Sequence, residues 1–354
     1  MELRVLGRTG VRVSSYCLGT MMLGPWGSED PDECVRIIHA ALDAGINFVD
    51  TADVYGEGES ERILGRALRD RRDEVVLATK VFGQMGKGSN ERGLSRLWIT
   101  RALEESLKRL GTDHIDLYQV HRPDPSTDVE ETLSALSDLV RQGKIRYFGS
   151  STFHGWQLME ADTIARARGL DRFATEQPPY SIFVRHVEQD VFPVAQKLGM
   201  GILAWSPLAG GWLTGKYRRG QSEPEGSRAA WARDRGGRVG ERFNLDRPGA
   251  QRKLDLVEEL LQVSKEAGVP MTRLALAFSL EHPAVTSTII GPKTMVQLED
   301  LLGGSEVRLA PEILDRIDEL VVPGSTVDDP DRGWDPPWMR PAARRRWGST
   351  SGGR

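Results

Sequence analysis

Eight short apolar runs, separated by longer amphipathic stretches, recur up to about residue 322, and no other feature of the chain restricts its fold as much. Alternating strand and helix patterns build βα units, and βα units build a parallel sheet. The runs are Tyr16–Leu18, Asn47–Asp50, Val75–Thr79, Ile115–Gln119, Ile145–Gly149, Ala174–Glu176, Gly201–Trp205 and Ser287–Ile290. Eight parallel strands close a barrel, so the expected fold class is α/β, a (β/α)8 TIM barrel. Ahead of it, Leu3–Leu6 and Val11–Val13, joined by Gly7-Arg8-Thr9-Gly10, predict a β-hairpin that can plug one end.

The helical stretches carry their own punctuation. Asp30-Pro31 opens the first with proline in its first turn, and Ala44-Gly45 closes it at a C′ glycine. The same stop recurs at Leu110-Gly111, Gln142-Gly143, Leu198-Gly199 and Ala267-Gly268. Two segments break the pattern. Between Tyr217 and Gly249 the chain is dense in Arg, Gly, Glu and Pro, which predicts a long loop after the seventh strand; such loops often serve as lids. Residues 323–354, with Asp328-Asp329-Pro330, Pro336-Pro337 and Arg344-Arg345-Arg346, read as an extended tail beyond a barrel of residues 1–322.

Charge narrows the partners. A net charge of -4 and a pI near 6.0 give no general pull toward nucleic acid or an anionic membrane, so small molecules are the expected partners. No apolar run reaches the ~18 residues of a membrane span. Cys17 and Cys34 fall in a strand and the following helix, outside any metal-binding spacing, and read as buried free thiols. With no apolar leader in Met1–Gly10, a cytoplasmic location is expected.

In a parallel barrel, chemistry sits at the carboxyl ends of the strands. Asp50, Lys80 and His121 each fall at such an end, and Tyr55 lies in the loop beyond Asp50. Singly, each has a plain structural reading: a helix cap, a packed aromatic, a surface lysine, a core histidine. Together they form a proton-delivery unit. A phenol, with a reference pKa near ~10, is a poor acid at neutral pH, and an adjacent ammonium eases release of its proton. Lys80 supplies that ammonium, Asp50 aims it, and His121 orients the oxygen that receives the proton or relays it.

The stretches FVDTADVYGEGESERILGRAL, ATK ending at Lys80, DLYQVHRPDP, GKIRYFGSSTF and LAWSPLAGGWLTGKY resemble, in order and spacing, the landmark segments of the aldo-keto reductase superfamily. The resemblance runs from about Leu3 to Val322. It implies an oxidoreductase that uses NADP(H) to reduce aldehydes or ketones to alcohols, with Asp50, Tyr55, Lys80 and His121 as the catalytic tetrad. It also places Ser151, Thr152 and Gln177 on the nicotinamide carboxamide and the Trp205 ring against the nicotinamide. Ser206, Leu208 and Gly210, with Lys216 close behind, match its pyrophosphate loop. IIGPKTMVQLEDLL resembles its last cofactor loop, so Gly291, Lys293 and Thr294 fall at the 2′-phosphate and Gln297 and Asp300 at the adenosine. Thr152, Trp205 and Leu301 depart from the Asn, Tyr and Asn common there.

Other readings fit less well. Gly210–Lys216 nearly satisfies the P-loop pattern, but Tyr217 replaces the required Ser or Thr. No G-x-G-x-x-G is present, which argues against a Rossmann dehydrogenase. A hydrolase with paired carboxylates would have Asp50 and Glu176 alone to draw on. The second-ranked reading is a cofactor-binding regulatory subunit like the potassium-channel β-subunits that share the implied fold. Met22, Trp26, Phe82, Trp98 and the 217–249 loop are the expected apolar walls of the mouth.

Overall fold

A computed structural model describes residues 1–233, 237–334 and 336–339. Eight parallel strands form one closed barrel: β3 (Tyr16–Gly19), β4 (Phe48–Asp50), β5 (Val76–Val81), β6 (Ile115–Val120), β7 (Ile145–Ser151), β8 (Thr175–Gln177), β9 (Gly201–Ala204) and β10 (Val285–Ile290), with β10 closing onto β3. Strands in such a barrel are buried on both faces, which is why they read as unbroken apolar runs. The boundaries differ slightly from expectation. Lys80 lies inside β5, paired with Gln119 of β6, rather than just past the strand.

The expected hairpin is present as β1 (Leu3–Val5) and β2 (Arg12–Ser14), paired antiparallel. It seals the amino end of the barrel: Leu6 and Val13 pack with Cys17, Phe48, Ala78, Leu117 and Leu203 in an inner cluster. Gly7 approaches so closely that a Cβ there would stand 2.6 Å from the Gly201 nitrogen, and its φ is +56°. Only glycine fits that contact.

Side-chain caps start several helices, with Asp30 accepting from Asp32 N, Ser95 from Trp98 N and Asp128 from Glu130 N. Gly45, Gly111, Gly143, Gly199 and Gly268 all have positive φ, as left-handed stop residues require. Both cysteines are buried and free. Among the described residues no helix is long and apolar enough to cross a membrane.

The segment after β9 is more structured than its composition suggests, with short helices at Arg228–Arg233 and Gly237–Glu241 before the long helix Pro248–Glu266. Residues 323–334 fold back onto the barrel. Val327 N donates to Phe183 O at 3.0 Å and Arg185 N to Ser325 O at 2.8 Å. Lys253, fully buried, pairs with Asp331 at 2.9 Å and Asp328 at 3.2 Å, and Arg242 also reaches Asp331 at 2.7 Å. Charges this deeply buried persist only when paired, so this cluster fixes the segment against the Pro248–Glu266 helix. Arg344, Arg345 and Arg346 lie outside the described residues.

Candidate active site

At the carboxyl mouth the four expected polar residues come together. Lys80, wholly buried, donates to Asp50 Oδ2 at 2.5 Å, to Thr51 O at 2.8 Å and to Tyr55 Oη at 3.3 Å. All three ammonium donors are thereby used. Burial opposes the charge on Lys80, but Asp50 and Tyr55 outweigh it and hold its pKa above the ordinary lysine value. The ammonium form is therefore the resting form. His121 directly follows β6, and its ring meets Tyr55 edge-on with centroids 5.8 Å apart. Desolvation first, then the charges of Arg122 and Lys80, keeps its pKa well below that of a free histidine. A neutral imidazole faces the phenol.

Two amides complete the tetrad's support. Gln119 Nε2 and Gln177 Nε2 each donate to Asp50 Oδ1 at 2.9 Å, and Gln177 also reaches Gln119 Oε1 at 3.2 Å. Gln119 escaped the sequence reading although it left a signal, a polar residue inside the apolar run IDLYQV. Arg122 escaped it too, beside His121, with Nη1 donating to the His121 carbonyl at 2.7 Å.

Beyond the tetrad, the mouth has an unusual backbone. Thr152, Ser206 and Ala209 adopt φ of +60°, +60° and +49°, at the ends of β7 and β9. Left-handed geometry in non-glycine residues costs of order 1–3 kcal/mol each and concentrates at ligand sites. Ser151 Oγ donates to Gln177 O at 2.8 Å, and Thr152 Oγ1 to Ser151 O at 2.7 Å. Glu176 pins this corner, accepting from Ser150 Oγ at 2.5 Å and from Phe153 N at 3.1 Å. The Trp205 ring lies at the same corner, against Gly333 of the returning C-terminal segment. Its Nε1 is buried without a partner among the described residues.

The loop Leu208-Ala209-Gly210-Gly211 turns through φ values of +71° and +100° at its two glycines and leads to Lys216. Burial, then Lys293 and Arg228, depresses the Lys216 pKa. Three cations thus converge where the resemblance put the phosphates. Lys293 Nζ donates to Gly226 O at 2.5 Å, tying the 217–249 loop to the segment after β10. Thr294 caps the helix Met295–Leu302 through Gln297 N, and Gln297 Oε1 accepts from Lys293 N at 3.0 Å. Asp300 lies on that helix with its carboxylate 3.5 Å from Arg273. Gly291 is exposed, and a Cβ there would meet Gly19 O at 3.9 Å, an ordinary contact that leaves the approach to this loop open.

The expected walls hold in part. Trp26 lies beside Tyr55, ring centres 6.0 Å apart. Trp98 instead packs in the hydrophobic core from the helix Arg96–Leu110, because that helix turns its apolar face inward. The C-terminal segment supplies aromatic surface that the sequence reading left out: Trp334 lies 6.2 Å from His154 and 5.7 Å from Trp338.

One buried acid stands apart. Asp53 is fully buried, and the Val54 amide is what approaches its carboxyl. Desolvation, reinforced by Glu61, raises its pKa to about 8. A carboxyl whose folded pKa exceeds its unfolded value contributes stability below the unfolded pKa and loses it as pH rises through the folded one. The urea midpoint should therefore fall as pH rises from about 4 to about 8 and level off above that, and Asp53→Asn should fall less steeply over that range. Parallel curves for the two proteins would show that Asp53 is not the titrating group.

A closed parallel barrel thus gathers a phenol, an ammonium, a carboxylate and an imidazole at its carboxyl mouth. A family model described as the aldo/keto reductase family matches residues 16–322, and the chain belongs to that family. It is 42% identical to an uncharacterized oxidoreductase, YrpG, of Bacillus subtilis (strain 168), over 94% of this chain and 99% of that one. It is also 38% identical to a probable voltage-gated potassium channel subunit beta of Oryza sativa subsp. japonica, over 91% and 97% of the two chains. A putative subunit of the same name from Schizosaccharomyces pombe is 37% identical, over 90% and 92%.

Proposed function

We propose that the protein is an NADP(H)-dependent oxidoreductase that reduces aldehydes or ketones to alcohols, reversibly, with Tyr55 as general acid. The observation that carries this reading is the Lys80 ammonium set between Asp50 and Tyr55 Oη at the mouth. When bound, the reduced nicotinamide supplies a hydride to the carbonyl carbon. Tyr55 gives its hydroxyl proton to the carbonyl oxygen, so that carbon and oxygen gain one hydride and one proton and the alcohol forms. Lys80 stabilises the phenolate left behind until solvent returns a proton. Neutral His121, edge-on to the phenol, orients the carbonyl oxygen.

Cofactor residues fit the same reading. Gln177 spends its amide nitrogen on Asp50 and Gln119, which leaves Oε1 as an acceptor beside Ser151 and Thr152 for a carboxamide donor. Trp205 offers a stacking face. Ser206, Leu208, Gly210 and Lys216 would hold the pyrophosphate, and Gly291, Lys293, Thr294, Gln297 and Asp300 the adenosine end with its 2′-phosphate. Like charges at Lys216, Lys293 and Arg228 repel one another, and an anion relieves that repulsion.

Lys293→Ala should weaken NADPH by about ten- to a hundredfold and scarcely change NADH, since a charge-assisted contact is worth roughly 1.5–3 kcal/mol. Dissociation constants for both cofactors at fixed salt check this; equal losses would remove Lys293 from the 2′-phosphate.

The likeness to proteins named as potassium channel β-subunits favours one other reading, a cofactor-binding regulatory subunit. A panel of aldehydes and ketones, followed by loss of the reduced-nicotinamide absorbance band, separates the two. Enzymatic turnover supports the reductase, and cofactor binding without turnover of any carbonyl supports the regulatory subunit.

A further inference from the structure

Several arginines drawn in from solvent are matched by acids: Arg72 by Asp116, Arg109 by Glu61, Arg185 by Glu188 and Asp318, and Arg242 by Asp331. Arg122 is not. Among the described residues its contacts are the His121 carbonyl, Thr152 Oγ1 at 3.4 Å and the face of Trp205, 5.9 Å from the guanidinium carbon. Nη1 makes both hydrogen bonds. Nε and Nη2 have no partner among the described residues, and neither is sealed from solvent. Those two nitrogens form one edge of the guanidinium, the edge whose parallel N–H bonds match the two oxygens of a carboxylate.

An unpaired guanidinium drawn out of water is costly, and burial lowers the Arg122 pKa to about 10, with Tyr55 and Glu176 acting in the opposite sense. Glu176 does not neutralise it. Its own pKa is raised to about 8 by burial, and Ser150 and Phe153 already occupy its oxygens. Farther out the rim is also basic: Arg238 acts on Arg122, and Arg332 acts on His154 and His186. Asp190 offsets part of the field at the two histidines, and Asp329 pairs with Arg332. The guanidinium thus bonds the backbone of His121, lies over the Trp205 ring and feels the charge of Tyr55.

We propose that Arg122 binds a carboxylate on the substrate, so that the carbonyl compounds this protein reduces are aldehydes or ketones that also carry an acid group. The inference rests on the reductase reading above. Trp26, beside Tyr55, supplies apolar surface for the carbon framework between the two groups. Arg122 selects by charge, while Tyr55 and His121 act on the carbonyl.

The test pairs 4-formylbenzoate with its methyl ester as substrates, and 4-(hydroxymethyl)benzoate with its methyl ester as ligands, in the wild type, Arg122→Lys and Arg122→Met. Calorimetry should show the acid alcohol bound about ten- to a hundredfold more tightly than its ester by the wild type. The aldehydes should show the same preference in KM rather than kcat. Arg122→Met should bring the ratio near one, and Arg122→Lys, which keeps the charge and loses the fork, should retain part of it. Equal binding of acid and ester by the wild type, or an unchanged ratio in a folded Arg122→Met, overturns the proposal. If the ester is reduced as well as the acid, the reductase reading stands and the Arg122 assignment falls. If neither aldehyde is reduced yet the acid alcohol still binds selectively through Arg122, the anion site stands and the reductase reading falls.

Discussion

Tyr55→Phe should lower kcat for aldehyde reduction by about 10²–10⁴-fold, the usual worth of a positioned general acid, while NADPH affinity stays nearly unchanged. The phenol oxygen is the group on the tetrad that Lys80 polarises and that lies open to the mouth, whereas Asp50 and Lys80 are sealed beneath it. Phenylalanine keeps the ring that Trp26 and His121 pack against and removes only the hydroxyl. Steady-state kinetics with one aldehyde, together with a cofactor titration, decides the matter. A variant that keeps more than about a tenth of wild-type turnover would contradict the role given to Tyr55.

The second large effect is on stability. Lys80→Met should cost about 3–5 kcal/mol, because removing one partner of a buried pair leaves the other charge uncompensated. Methionine fills similar space, so little of the loss would come from packing. Asp50 would keep its two amide donors, from Gln119 and Gln177, yet no cation. The double variant Asp50→Asn/Lys80→Met removes both charges and should recover a substantial part of the loss. Urea unfolding of the wild type, the two single variants and the double variant measures this cycle. A loss below about 1 kcal/mol for Lys80→Met would mean that the pair is not energetically coupled as its geometry implies.

The barrel was legible because strands buried on both faces must be apolar, and because helices between them end on glycines such as Gly111 and Gly199 whose φ is positive. Boundaries were less so: β5 continues through Lys80 to Val81 because the lysine points into a polar mouth while its backbone stays in the ladder. Asp50, Lys80 and His121 were legible as polar side chains at strand ends, and Tyr55 as one in the loop beyond Asp50. Arg122 was visible as a residue but not as an unmatched charge, since pairing depends on what distant elements bring near it. The docking of residues 323–334 left no periodic trace. It rests on single contacts, Asp331 to Lys253 and Arg242, and Gly333 to Trp205, which a hydrophobic pattern cannot report.

Hydride transfer itself is most directly followed with NADPH carrying deuterium at the reactive C4 position. Each face-specific label is incubated in turn with the wild-type protein and an aldehyde. One of the two labelled forms should deliver a single deuterium to the carbinol carbon of the alcohol, at a rate that collapses in Tyr55→Phe. Cofactor bound stoichiometrically, with neither label appearing in any alcohol, would contradict the reductase assignment and leave a nicotinamide-binding protein without this chemistry.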